Sequence, residues 1–175
     1  HMPLVYITGN SGAGKSAVRK ELQLRGYEAH DTDENNISSW QNKYTGNIVE
    51  RPLDKADRTN VWYSEHDWNM SCNKIENLAM QANDKLIFLC GSTSNADEML
   101  NFFDKVYYLS VDEVTLKERL TNRTSNDFGK APDELSNILG WHMSLEERFK
   151  NHGAHLVNAN QPIKNVIDEI LSTLD

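Results

Sequence analysis

Eight residues near the amino terminus, Gly9-Asn10-Ser11-Gly12-Ala13-Gly14-Lys15-Ser16, carry the strongest chemical signal in the chain. They follow an apolar run, Leu4 to Thr8, and precede a segment carrying Val18 and Leu22 at helical spacing, so the glycine-rich stretch joins a strand to a helix. In that context it reads as a phosphate-binding loop. Backbone amides between Gly9 and Ala17 turn inward around phosphate oxygens, Lys15 reaches the β and γ phosphates, and the Ser16 hydroxyl coordinates magnesium. ATP and Mg2+ are therefore the expected cofactors, although the motif by itself does not separate ATP from GTP.

A second constellation, Asp31-Thr32-Asp33, lies at the end of the next expected strand. Residues two apart in an extended segment project to the same side, which would aim both carboxylates at one point. The carboxyl ends of strands line the ligand crevice of an open α/β sheet, so the acids should stand beside the bound phosphates. Asp31 would hold magnesium through a water, and Asp33 would accept the proton of an acceptor hydroxyl. A solvated turn is the competing reading, since aspartate and threonine are ordinary turn formers.

These groups need a scaffold, and the apolar periodicity supplies one. Five strands are expected: Leu4 to Thr8, Tyr27 to His30, Lys85 to Cys90, Lys105 to Ser110 and Ala154 to Asn158. Helical spacing is found in Trp68, Cys72, Ile75, Ala79 and Ala82, again in Leu135, Ile138, Leu139, His142, Leu145 and Phe149, and again from Ile163 to Leu174 behind Pro162. Alternation of strand and helix predicts an α/β fold with a parallel sheet, and 175 residues at 38% hydrophobic suit one domain, residues 2–175. His1 reads as a tag scar.

Composition narrows the function. A net charge of −8 opposes broad contact with nucleic acid, and no apolar run is long enough for a membrane span, so neither partner is expected and a cytoplasmic protein is. A monomer or weak dimer is anticipated. Cys72 and Cys90 lack metal-ligand spacing and are expected to be buried thiols. His66 and His142 are more readily packing residues than catalysts, and no Ser-His-Asp set competes for the chemistry.

Strand, phosphate loop, helix and a strand ending in Asp-x-Asp together resemble the shikimate kinase and gluconate kinase branch of the nucleoside monophosphate kinase-like proteins. The resemblance implies a three-layer P-loop fold, sheet order 2-3-1-4-5 and a small lid, placed at residues 124–134. Arg119 and Arg123, four apart near the end of a helix that Ser110 or Asp112 would cap, look like the adenylate kinase lid arginines, with Arg119 stacking on adenine and Arg123 touching the transferring phosphates. Lys130 would reach phosphate when the lid closes. Asn158-Ala159-Asn160-Gln161-Pro162 resembles the adenine-embracing loop, while Leu89-Cys90-Gly91-Ser92-Thr93 resembles the gluconate kinase version of its loop, where Gly91 lets backbone approach a ligand.

Residues 34–60 show little periodicity, and a segment of that length inside a compact domain is usually functional. It is read as the acceptor-binding insertion. Asp57-Arg58-Thr59 followed by Trp62 faintly resembles a gluconate kinase run; Arg58, then Arg51, are the candidates for an anionic or hydroxylated acceptor, with Trp40 shaping the pocket and Asp33 acting on it. The leading expectation is a small-molecule kinase that transfers the γ-phosphoryl group of ATP to a hydroxyl, with Lys15, Asp33 and Arg123 as its catalytic residues. A nucleoside or nucleoside monophosphate kinase is the alternative enzyme, and a nucleotide-dependent regulatory module the alternative of another class.

Overall fold

The computed structural model describes residues 3–122 and 132–174. At its centre the strand β1 (Leu4–Gly9) is buried along its whole length. It pairs in parallel with β6 (Ile87–Cys90) on one side and β7 (Lys105–Ser110) on the other. The outer strands β2 (Glu28–Asp31) and β8 (His155–Asn158) complete a five-stranded parallel sheet in the order β2-β6-β1-β7-β8. Counted within this sheet alone, the order runs 2-3-1-4-5. Three further strands, which the sequence reading did not foresee, intervene between its second and third members.

Alternate residues of β1 feed two cores on opposite sheet faces, as a period of two requires. Val5 and Ile7 pack with Val18 and Leu22 of α1 (Lys15–Leu24), Leu116 and Leu120 of α5 (Glu113–Asn122), and Val166, Ile167 and Ile170 of α7 (Ile163–Ser172). Leu4 and Tyr6 pack with Ile75, Leu78 and Ala82 around α3 (Cys72–Gln81), with Ala96 and Met99 of the short α4 (Ala96–Met99), and with Phe103. The helix α6 (Pro132–Asn151) serves both cores, through Ile138 and Phe149. Each fully buried aliphatic side chain is worth about 1.5–3 kcal/mol, so these paired stripes fix the three layers. Among the described residues, no helix is long and apolar enough to cross a membrane.

The three extra strands are β3 (Ser38–Asn42), β4 (Ile48–Val49) and β5 (His66–Met70), joined in a small antiparallel sheet of order β4-β3-β5. This sheet overlaps the insertion expected over 34–60 and runs on to Met70, with α2 (Asn60–Glu65) between β4 and β5. Trp68, read as the first residue of a helical stripe, is a strand residue opposite Trp40. The helix begins at Cys72 because Ser71 caps it, accepting the Lys74 amide at 3.5 Å. Cys72 is consequently exposed, against the expectation of a buried thiol, whereas Cys90 is buried. Of the proposed lid, residues 124–131 lie outside the described residues, and 132–134 begin α6.

Candidate active site

The phosphate loop leaves β1 with Gly12 at φ 89° and Gly14 at φ 103°, left-handed conformations that side chains rarely tolerate. A β-carbon at Gly12 would also press within 3.0 Å of Leu120. Gly14 occupies the N-cap position of α1 and offers no side chain to the first amides of that helix. Those amides are left for an anion, the arrangement that phosphate sites at helix N-termini use. Lys15 Nζ donates to the carbonyls of Gly9 and Asn10, both at 2.8 Å, and so lies folded along the loop.

Asn10 ties the loop to α6. Its side chain is buried and donates from Nδ2 to the Ile138 carbonyl at 2.8 Å, while its Oδ1 accepts the Ser11 amide at 2.9 Å. Its carbonyl accepts the Ala13 amide at 3.0 Å as well as Lys15 Nζ, so the loop is also braced from within.

A cleft of about 1490 Å3 opens over the carboxyl ends of the sheet strands, lined by Asn10 to Val18, by Asp31 to Asp33, by Gly91 to Ser94 and by Ala159 with Gln161. Both acids reach it, though by a turn and not by strand alternation: β2 ends at Asp31, and Asp31 Oδ1 accepts the Asp33 amide at 2.9 Å. The turn reading is thus realised, with both acids in the lining of the cleft. Asp31 Oδ2 lies 3.6 Å from Arg19 Nε, a partner on α1 that sequence spacing did not single out.

Asp33 lines the cleft and is solvent-exposed as a whole. Withdrawal from bulk water, then the neighbouring Asp31 carboxylate, push it above the ordinary carboxylate range; Lys15 and a hydrogen bond from Trp68 pull the other way. A carboxyl so raised is a better proton acceptor than an ordinary one.

The strand-end turn is held by close packing. Gly91 (φ 156°) passes directly beneath Thr32, whose amide bonds to the Cys90 carbonyl at 2.9 Å, and Tyr6 donates its hydroxyl to the Gly91 carbonyl at 2.8 Å. Gly91 was expected to admit a ligand; it lines the cleft, but the close approach it permits is to Thr32. Cys90 beside it is wholly buried, and burial pushes its thiol well above the usual range.

Arg119 spans the nucleotide end. Its Nη1 donates to the Ala13 carbonyl at 3.1 Å and its Nη2 to the Ala159 carbonyl at 2.7 Å, joining the phosphate loop to the loop after β8. Asp112, one of the two caps anticipated, starts α5 by accepting the Thr115 amide at 2.7 Å. In the 158–162 loop, Gln161 lines the cleft and Asn160 and Pro162 do not: Asn160 Oδ1 accepts the Asp112 amide at 3.0 Å, and Pro162 is the N-cap of α7. Arg123 lies outside the described residues.

The opposite wall belongs to the inserted sheet. Trp40, Tyr63 and Trp68 line it, with Trp40 centred 5.3 Å from Trp68 and 5.7 Å from Tyr63. Trp62 backs this cluster and stacks on His66 at 4.1 Å. Arg51 and Arg58 both reach the cleft, yet Arg58 donates to the carbonyls of Pro52 and Leu53 at 2.9 and 3.3 Å. Glu134, missed from the sequence because it reads as an ordinary first-turn acid, is 1% exposed and accepts the Tyr63 hydroxyl at 2.5 Å. Burial first, and then that carboxylate, raise the Tyr63 phenol.

For magnesium, Ser16 and Asp31 supply hard oxygen donors beside the uncapped helix end, a set that suits this ion. Among the described residues, no group of three or more His, Cys, Asp or Glu side chains could hold a metal alone. The residues fit an ion that is held largely by nucleotide phosphates and water.

A glycine-rich phosphate loop between the first strand and first helix of a 2-3-1-4-5 parallel sheet defines a P-loop nucleotide-binding domain. The chain belongs to the AAA domain family, whose model matches residues 5–140. No curated protein sequence matches it. Among solved structures, a shikimate kinase from Acinetobacter baumannii in complex with shikimate is similar at a TM-score of 0.60 and 16% identity, with 99% of this chain and 96% of that one covered. A gluconokinase from Sinorhizobium meliloti 1021 is similar at 0.54 and 15%, covering 96% and 89%. A deoxyadenosine kinase from M. mycoides with bound dATP is similar at 0.52 and 19%, covering 99% of each. These likenesses show the P-loop kinase fold, in agreement with the resemblance carried by the sequence motifs.

Proposed function

We propose that this protein is an ATP- and magnesium-dependent phosphotransferase that moves the γ-phosphoryl group to a hydroxyl of a small molecule. The observation that carries the reading is that Asp33 lines the same cleft as the phosphate loop and its uncapped helix end, in one turn with Asp31. An acceptor already phosphorylated offers an ionised oxygen and needs no base; a hydroxyl must lose a proton, and in this reading Asp33 takes it.

In this reading the amides of the loop and of the first turn of α1 hold the β and γ phosphates, and Lys15 leaves its carbonyl partners to neutralise charge on the group in transit. Ser16 and Asp31, the latter through water, would hold magnesium, which would offset negative charge on the phosphates. Arg119 holds the nucleotide end of the cleft, and Arg123 is assigned to the transferring phosphates by resemblance. The acceptor lies between Asp33 and the inserted sheet. We place this work in the cytoplasm, where ATP is available.

The test is a screen of hydroxylated metabolites, sugars, nucleosides and antibiotics with γ-labelled ATP and magnesium, read as label on the acceptor. Lys15→Ala should lower any transfer by at least about 10²-fold. Transfer that survives in this variant, or no labelled acceptor across the screen, would remove the assignment.

A further inference from the structure

The inference rests on the acceptor site just proposed and concerns the charge and shape of what it holds. On the wall supplied by the inserted sheet, three cations reach the cleft, and each has a partner. Lys43 Nζ stands 3.8 Å from Asp67. Arg51 acts on the Tyr63 hydroxyl, which in turn donates to Glu134. Arg58 is turned to the carbonyls of Pro52 and Leu53. Among the described residues, the acids Glu50, Asp67 and Glu134 balance these cations, and Asp31 and Asp33 face them across the cleft.

Among the described residues, a carboxylate or phosphate entering against this wall would lose its water, meet two aspartates, and recover one of the wall's cations only by breaking a contact already made. An uncharged molecule has no such cost. What the wall does offer is ring surface: Trp40 and Trp68 lie opposite each other in register on β3 and β5, both half-buried, with Tyr63 beside them. Backbone bonds hold this surface rigid, since the Ser94 amide donates to the Trp68 carbonyl at 2.6 Å and the Trp68 amide to Ser94 Oγ at 3.2 Å. Rigid aromatic faces gain stacking energy at little entropic cost.

We propose that the acceptor is an uncharged, ring-bearing alcohol whose ring packs against the indoles of Trp40 and Trp68, which are inclined at 51° to each other, and that carboxylated or phosphorylated acceptors are disfavoured. Arg58, expected to bind an anionic or hydroxylated acceptor, then shapes the segment at 52–58 and does not bind an anion.

Matched pairs that differ in charge test this. The protein is saturated with magnesium and a non-hydrolysable ATP analogue, then titrated with phenyl β-D-glucoside against phenyl β-D-glucuronide, and with uridine against uridine 5′-monophosphate, following tryptophan fluorescence. The neutral member of at least one pair should quench and bind about tenfold or more tightly than its anionic counterpart. Trp40→Leu and, separately, Trp68→Leu should each weaken that binding by about tenfold or more, with unfolding midpoints confirming that both variants fold. Equal or tighter binding of the anionic members, no quenching by either neutral compound, or unaltered affinity in both folded variants overturns the proposal. Because binding is read without turnover, a protein that binds the neutral ring and transfers no phosphoryl group sinks the phosphotransferase reading alone.

Discussion

A β-carbon placed on Gly91 would lie 1.9 Å from the Thr32 hydroxyl oxygen and 2.7 Å from the Thr32 β-carbon. These two residues are the contact by which the loop after β6 sets the height of the Asp31-Thr32-Asp33 turn. Gly91→Ala must displace that turn, and it should cost about 1–3 kcal/mol of stability, read as a fall in the urea midpoint. Adding Thr32→Ala removes the hydroxyl and methyl but leaves the β-carbon in the way, so it should restore only part of the loss. Full restoration, or no loss in the single variant, would show that the contact does not hold the turn.

Asp33 carries a pH prediction. As a base it works only when ionised, so turnover should fall as pH drops through a value above the ordinary carboxylate range, the direction set by burial and by Asp31. Stability has its own sign. A folded-state pKa above the unfolded value means that the native state holds the proton more tightly, so the contribution is present at low pH and lost as pH rises through the folded value. Asp33→Asn should therefore lose about 10²- to 10⁴-fold in kcat while raising the thermal midpoint at neutral pH. Activity and melting measured on the same variant check both; a lowered midpoint contradicts the linkage.

Arg119 bridges the carbonyls of Ala13 and Ala159, so Arg119→Ala should loosen two loops at once. Hydrogen bonds from a charged donor are worth roughly 1.5–3 kcal/mol, which corresponds to a drop in ATP affinity of about tenfold or more. Arg119→Lys can reach only one of the two carbonyls at a time and should recover little. Calorimetric titration with the ATP analogue decides it, and unchanged affinity in Arg119→Ala would return this side chain to a surface role.

The inserted sheet hangs on α6 through Tyr63 and Glu134, with help from Asn137 Nδ2, which donates to Asn60 Oδ1 at 2.8 Å. Tyr63→Phe withdraws one donor from a buried carboxylate and should destabilise the protein by about 1–3 kcal/mol. Proteolysis should then open first between residues 38 and 70, because most of that segment is exposed or half-buried and its ties to α6 are polar. Cleavage starting elsewhere would place the weak point outside this joint.

How far the chain could be read without its structure depends on the range of each interaction. The phosphate loop was fully legible, since eight consecutive residues carry both its conformation and its chemistry. The five parallel strands were also legible within a residue or two: burial of the central strands β1, β6 and β7 leaves apolar runs in the sequence, and the core helices between the strands repeat at 3.6. The inserted strands were not. They are short and mostly half-exposed, so no alternation marks them, and Trp68 to Ala82 happened to satisfy helical spacing across the Ser71 cap.

Side-chain partners were beyond any local pattern. Arg19 beside Asp31, Thr32 over Gly91 and Tyr63 on Glu134 join residues 12, 59 and 71 positions apart. The same holds for Asn10, whose type suits a phosphate loop but whose side chain turns to Ile138 on α6. The position of the phosphate loop can be read along the chain, because its backbone amides and helix end come from consecutive residues. What faces that loop follows from the tertiary fold, because a cleft wall is made by chain segments whose contact depends on how distant loops close.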